Sequence, residues 1–187
     1  MKTVVYLFLV GVCNGFLFNL NTHGGSKTIT AKTDVRSECT DWAHNGTCDF
    51  YDCFEQRFPC GSSGYALGYG GKYCRKFQQP QFRSLFNAAG QVFLDKMSKC
   101  EMDAVLPFYE QQSITCSTEY DMVFKHQEDC YIQSGYCDVV LDNFDGFLKT
   151  FDKADFLNFK LINQVLNAAK RCHVDISQAI ISKYLGR

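Results

Sequence analysis

The feature that constrains this chain most is its cysteine content, 11 cysteines in 187 residues. Cytosolic enzymes of this size rarely carry so many cysteines outside metal sites, whereas small secreted domains use them as disulfides. Zinc sites need clustered Cys or Cys/His pairs, but the closest spacing here, Cys48 to Cys53, has no second pair to match it. The cysteines therefore predict a disulfide framework formed in an oxidising compartment.

The first residues have the pattern of a secretory signal peptide. Lys2 supplies a positive charge, residues 4–12 form a short apolar run, and Gly15 is small enough to precede a signal peptidase cut. The run is far shorter than the roughly 20 residues of a membrane-spanning helix. We expect signal peptidase to remove residues 1–15. The cut could lie a few residues later, because residues 16–18 are also apolar. The alternative interpretation of the apolar run is a buried N-terminal strand. The protein should be secreted, extracellular and without a membrane span.

Removal of this segment also removes Cys13 and leaves ten cysteines, an even number that permits five disulfides. Ten cysteines allow about 945 pairings, so their number alone does not choose among them. Residues 16–38 carry no cysteine and are mostly polar after residue 18, and we interpret them as a mobile leader. Residues 39–187 form a single predicted domain. Its cysteine-rich start includes a glycine-rich run, residues 61–71, which predicts a loop.

The rest of the chain has helical periodicity. Apolar residues recur at steps of three and four from Pro80 onward, and Pro107 should start or break a helix. Ser117 or Thr118 can cap a further helix, and Asp175 with Gln178 resembles a capping box. The predicted fold is mainly α, a compact helical domain stapled by disulfides. Its helical faces are Phe82, Leu85, Phe86, Ala89, Phe93 and Met97; Tyr120, Val123, Phe124, Cys130 and Tyr131; Phe144, Phe147, Leu148 and Phe151; and Phe156, Phe159, Leu161, Val165, Leu166 and Ala169.

The charges are balanced, with 19 basic and 20 acidic residues. They give no general electrostatic reason to bind nucleic acid or an anionic membrane.

His126 is the first candidate for catalysis, because secreted phospholipases A2 are small disulfide-rich proteins that use a histidine on a helix. In those enzymes an Asp directly follows the His, whereas here Asp129 is three residues away. We favour a surface histidine and predict no catalytic residue.

Calcium is the second candidate, at the segment from Asp142 to Gly146. With Gly146 at position 6 of an EF-hand loop, position 1 would be Leu141, which offers no side-chain oxygen. We therefore favour a solvated acidic helix face and predict no metal or cofactor.

Asn45-Gly46-Thr47 is the one N-x-S/T sequon of the chain, and we predict a glycan on Asn45.

The cysteine order resembles that of the stanniocalcins, a family of secreted glycoprotein hormones. The densest match is Cys116-Ser117-Thr118, followed by Gln127-Glu128-Asp129-Cys130-Tyr131 and Cys137. The spacing of Cys39, Cys48 and Cys53 and the position of Cys172 also fit, and the resemblance covers residues 39–185. It implies a hormone-like protein that binds an extracellular receptor and acts in calcium and phosphate balance. The alternatives are an inhibitor of a secreted metalloproteinase and, less favoured, a small hydrolase of the phospholipase A2 type.

The same resemblance implies a disulfide pairing. Each closed loop would contribute about 2–4 kcal/mol of stability. Because all ten cysteines are used, and because the family's long C-terminal tail with its subunit-linking cysteine is missing here, we expect a monomer or a non-covalent homodimer. The implied pairs are Cys39–Cys53, Cys48–Cys74, Cys60–Cys116, Cys100–Cys130 and Cys137–Cys172.

Overall fold

A computed structural model describes residues 27–152 and 159–173 of the chain. Over these residues the fold is mainly α-helical, as predicted, with one pair of three-residue strands. In chain order the elements are β1 (Thr28–Thr30), α1 (Ser37–His44), α2 (Phe50–Arg57), a 3₁₀ turn (Gly61–Ser63), a π-helical segment called the π-turn (Ala66–Gly70), α3 (Gly71–Gln78), α4 (Pro80–Arg83), α5 (Ala88–Tyr109), β2 (Ser113–Thr115), α6 (Cys116–Gln133), α7 (Tyr136–Thr150) and α8 (Phe159–Arg171).

Helix α5 is the longest described element and the centre of the packing. It lies against α1, α6 and α7, and α8 packs on α6 and α7. The core between these helices is aromatic. The rings of Tyr120 and Phe124 stack with centroids 4.6 Å apart, and those of Tyr69 and Phe124 lie 4.8 Å apart. Such pairs contribute about 0.5–1.5 kcal/mol each beyond the area they bury.

The predicted apolar faces of α6 and α7 are confirmed. All five residues predicted for α6, from Tyr120 to Tyr131, are buried, as are Phe144, Phe147 and Phe151, whereas Leu148 is only partly buried. The C-terminal helix is confirmed over Phe159–Arg171, whereas the Asp175 and Gln178 pair lies outside the described residues.

Several predicted boundaries are wrong. The continuous helix expected from Pro80 is split into α4 and α5, because Asn87 accepts a hydrogen bond from the Gly90 backbone N–H and so caps a new helix. Pro107 lies inside α5, two residues before its end, where it removes one hydrogen bond from the last turn. Helix α6 begins at Cys116 with Thr115 as its N-cap, so the predicted caps Ser117 and Thr118 are helical.

The glycine-rich run is helical rather than a loop. Its second half forms the π-turn and continues directly into α3. A Cβ on Gly70 would lie 2.5 Å from the Tyr65 ring and 2.6 Å from the Tyr51 ring. Glycine is therefore required here because the backbone packs directly against two buried rings, not because the segment turns freely.

Residues 28–38, which the sequence assigns to a mobile leader, instead contribute a strand and the start of α1. Thr28, Ile29 and Thr30 pair antiparallel with Thr115, Ile114 and Ser113. The division of the chain at residue 39 remains a prediction.

The buried guanidinium of Arg57 secures the segment that follows β1. Its Nε donates to the Tyr109 carbonyl at 2.7 Å, one Nη donates to the Gln111 carbonyl at 2.8 Å, and the other Nη donates to the Thr33 carbonyl. Because Arg57 is only 2% exposed, these backbone oxygens replace the water that its charge loses on folding. Arg57 thus joins the segment after β1 to the end of α5.

Candidate functional site

The predicted glycosylation site lies at the surface, just after α1. Asn45 is exposed, whereas Gly46 has a left-handed backbone with φ of 68°. A Cβ at Gly46 would lie 3.3 Å from the Lys99 Cβ, so this turn sits directly on α5. The Asn45 amide therefore occupies a position where a glycan would extend into solvent. Glycosylation itself remains a prediction.

The residues considered for hydrolysis are not arranged for it. His126 is exposed on α6. The Asp129 carboxylate lies 2.6 Å from the Arg171 guanidinium, which also approaches Glu128 at 3.5 Å. Asp129 thus joins α6 to α8 in a surface ion pair.

The acidic segment considered for calcium lies in the interior of α7 and forms no loop. Asn143 is buried, and its Oδ1 accepts a hydrogen bond from the Asn87 backbone N–H at 2.8 Å. A Cβ on Gly146 would lie 2.9 Å from the Phe86 ring. Within residues 27–152 and 159–173, no group of three or more His, Cys, Asp or Glu side chains is placed to hold a metal ion.

Five disulfides cross-link the described residues. Their Cα–Cα distances of 6.0, 5.7, 5.8, 5.6 and 5.1 Å fall in the usual range for disulfides. They are the five pairs implied by the family resemblance: Cys39–Cys53, Cys48–Cys74, Cys60–Cys116, Cys100–Cys130 and Cys137–Cys172.

The most unusual chemical feature is a group of buried polar side chains that the sequence analysis missed. We call Tyr51, Glu55, Tyr65 and Glu119 the carboxyl–tyrosine cluster. Both Glu119 carboxyl oxygens and Oε2 of Glu55 are buried without a hydrogen-bond partner, and the buried Tyr51 and Tyr65 hydroxyls interact with each other. The other oxygen of Glu55 accepts from the Gly61 backbone N–H at 2.8 Å. Unsatisfied polar atoms are rare in folded proteins, so three carboxyl oxygens together without a partner indicate that a carboxyl group here is protonated.

Burial raises the pKa of both glutamates in this cluster. Together with a smaller contribution from the nearby Glu55 carboxylate, it raises the pKa of Glu119 to about 8. Burial also raises the pKa of Glu55, although the backbone N–H groups of Gly61 and Cys60 oppose this effect. Glu119 is therefore mostly protonated at neutral pH, and its carboxylic acid can donate a hydrogen bond that a carboxylate cannot.

A second acid with a raised pKa, the partly buried Glu101, lies on α5. The Gln127 amide donates to the Glu101 carboxylate at 2.7 Å and to the Tyr69 hydroxyl at 3.2 Å. Burial raises the pKa of Glu101 to about 7 despite the opposing hydrogen bond from Gln127. Glu101 and Gln127 also line an aromatic cavity of about 30 Å³, together with Tyr73 and other ring-bearing residues. This volume can accommodate a water molecule but not a drug-sized or lipid ligand.

Glu119 can respond to pH but is poorly placed for catalysis. Glu119 is 1% exposed and both of its carboxyl oxygens are inaccessible to solvent, so a substrate could not reach them. The helical periodicity of the α6 sequence indicates that some of its polar side chains are buried. Glu119, Val123, Gln127 and Tyr131 follow one another at intervals of four residues on the buried face of α6. Polar residues in such a row indicate a buried polar network.

The second cavity is an open groove of about 250 Å³ beside the two strands. Its walls come from both strands, the end of α5 and the first turn of α6. The lining combines polar and apolar groups, and the residues are Thr28, Phe108, Gln111, Ser113, Ile114, Thr115, Thr118 and Glu119.

The family model for stanniocalcins matches residues 9–186, nearly the whole chain. The chain belongs to the stanniocalcin family. Comparison with curated proteins found no match, and comparison with solved structures found none either. Membership supports a secreted, hormone-like signalling protein rather than an enzyme. The five disulfides of this stanniocalcin fit an extracellular protein. No helix among its described residues is long and apolar enough to cross a bilayer.

Proposed function

We propose that this member of the stanniocalcin family is a secreted, hormone-like glycoprotein that acts by binding an extracellular protein and regulates calcium and phosphate balance. The family match over residues 9–186 carries the proposal. The expected partner is a receptor, and the alternative partner is a secreted metalloproteinase that the protein inhibits.

The chemistry of the described residues supports binding over catalysis. The Glu119 carboxyl oxygens are buried within the helical packing, and the cavity beside Glu101 has room only for a water molecule. The exposed His126 lies on the same helix as Asp129, whose carboxylate pairs with Arg171. A protein that acts through its surface needs a stable scaffold, and five disulfides over a small helical domain provide one.

The test applies the refolded chain from residue 16 to an epithelial cell layer and measures calcium and phosphate flux across it. The matched control is the same chain after reduction and alkylation, which keeps the composition and destroys the fold. We expect a saturable change in flux with the folded protein alone. Equal flux with the folded and alkylated chains would contradict the homeostatic role.

The same preparation tests the two alternative functions. A metalloproteinase inhibitor would lower the cleavage rate of a secreted metalloproteinase in proportion to its concentration. A phospholipase A2-type hydrolase would release fatty acid from phospholipid vesicles, and His126→Ala would abolish that release. We expect His126→Ala to stay folded and to act on ion flux like the wild type, because the His126 side chain is exposed.

A further inference from the structure

The five disulfides differ in how well solvent reaches them. Cys137 is the exposed cysteine among the ten that are paired, and its partner Cys172 is half-buried. Each of the other four disulfides contains at least one buried cysteine. These buried members are Cys39, Cys53, Cys74, Cys116 and Cys130. Because an attacking thiolate must reach a sulfur atom in line with the S–S bond, access alone favours attack on Cys137.

The position of Cys137 on its helix adds an electrostatic reason. Cys137 is the second residue of α7, after the left-handed N-cap Gly135, and no side chain caps this helix end. The backbone N–H groups of the first turn and the positive end of the helix dipole attract an incoming thiolate. The carboxylate of Asp138 in the same turn opposes this attraction.

The bond can open while the helices stay packed. The Tyr136 hydroxyl at the start of α7 donates to the Val165 carbonyl of α8 at 3.4 Å. Arg171 at the end of α8 pairs with Asp129 of α6 at 2.6 Å, and Ala168 is completely buried. These contacts do not depend on the disulfide, so its reduction does not require the domain to unfold first.

We propose that Cys137–Cys172 is a thiol-exchange site, the disulfide that an extracellular low-molecular-weight thiol reduces first. The thiolate attacks Cys137 Sγ, the S–S bond breaks, and its electron pair leaves on Cys172, which takes up a proton. A second thiolate then attacks the mixed disulfide and releases Cys137 as a thiol. Two thiols are oxidised to one small disulfide, and the protein disulfide gains two electrons and two protons. This inference goes beyond the hormone role and does not depend on it.

Partial reduction of the refolded mature chain tests the proposal. The protein is treated with low concentrations of dithiothreitol at pH 8, quenched with N-ethylmaleimide at intervals, and mapped by peptide mass spectrometry. We expect label on Cys137 and Cys172 to appear about tenfold faster than label on any other pair. Faster labelling of another pair, or simultaneous loss of all five, would overturn the proposal.

Two sets of variants separate access from electrostatics. In the double variant Cys137→Ser with Cys172→Ser, the fast phase should disappear while the other four pairs keep their rates. Asp138→Asn should speed the fast phase about two- to threefold by removing the opposing charge. Asp142→Asn, one turn further along α7, should have little effect. Equal rates in the Asp138 and Asp142 variants would refute the effect of the Asp138 charge on the rate, while a persistent fast phase in the double variant would refute the site.

Discussion

Replacing Glu119 by glutamine tests the carboxyl–tyrosine cluster most directly. The substitution keeps the size and polarity of the side chain but removes its ionisation. The pKa of Glu119 rises from 4.5 to about 8 on folding, which corresponds to about 5 kcal/mol of preferential proton binding by the folded state. This magnitude applies to a side chain that is 1% exposed and therefore poorly screened by solvent.

The sign of the pH effect follows from the raised pKa. The stability that comes from protonating Glu119 in the folded state is fully present below 4.5, the pKa of Glu119 in the unfolded chain. This stability is lost as the pH rises through about 8, the pKa of Glu119 in the folded protein. Glu101 acts in the same direction, with its loss complete near pH 7. The wild-type free energy of unfolding should therefore fall steeply between pH 5 and 9, and Glu119→Gln should flatten the upper part of that fall.

The assay is urea unfolding with the disulfides intact, followed by circular dichroism at half-unit steps from pH 5 to 9. Near pH 5 the variant should differ from the wild type by about 1 kcal/mol, because a neutral acid and an amide are similar in size and hydrogen bonding. At pH 9 the variant should be the more stable by several kcal/mol. Glu110→Gln, at an exposed position, is the matched control. Superimposable pH profiles of wild type and Glu119→Gln would refute the burial of an ionisable Glu119.

Three further predictions concern anchoring, packing and modification. Arg57→Met should lower the free energy of unfolding by about 3 kcal/mol, because three backbone carbonyls lose their donor, and urea unfolding measures this loss. Gly70→Ala should cost about 1–3 kcal/mol in the same assay because its Cβ would overlap two tyrosine rings, whereas Leu67→Ala, exposed in the same π-turn, should cost less. Secreted wild-type protein should lose mass on glycosidase treatment and Asn45→Gln should not; unchanged wild-type mass would exclude the glycan.

The sequence predicted the parts of the fold that depend on repeated local patterns. The apolar period of α6 identified Tyr120, Val123 and Phe124 as buried, and each is buried. The pattern succeeds here because every third or fourth side chain faces the same neighbours. Cysteine number limited the framework, but the specific pairs depended on the family resemblance.

The glycine-rich run was misread because its helix is stabilised by distant residues. Glycine disfavours a helix interior by about 1 kcal/mol relative to alanine, so a local reading predicts a loop. In the structure Tyr65 and Tyr69 of this run insert between Tyr51 and Phe124, which come from two other helices. Burial of the rings outweighs the cost of the glycines. Sequence separation hides these contacts from any local pattern.

The carboxyl–tyrosine cluster was missed for a related reason. A glutamate in the first turn of a helix usually faces water and favours the helix dipole, which is the expected reading of Glu119. Its burial depends on α2, which brings Tyr51 and Glu55 to the start of α6. The disulfide Cys60–Cys116 joins the chain just after α2 to the first residue of α6. The same covalent link therefore shapes both the fold and the unusual acid.

The disulfide framework also limits how subunits of this stanniocalcin could associate. The ten cysteines from Cys39 to Cys172 are paired within the chain, so none of them can link two subunits unless one of these bonds opens first. The difference in exposure makes Cys137–Cys172 the bond that opens most readily. Buried pairs such as Cys39–Cys53 would require the surrounding helices to separate. The exposed disulfide Cys137–Cys172 is therefore the one that reacts with thiols, whereas buried disulfides such as Cys39–Cys53 stabilise the core. Cys137–Cys172 can undergo thiol exchange while the protein stays folded.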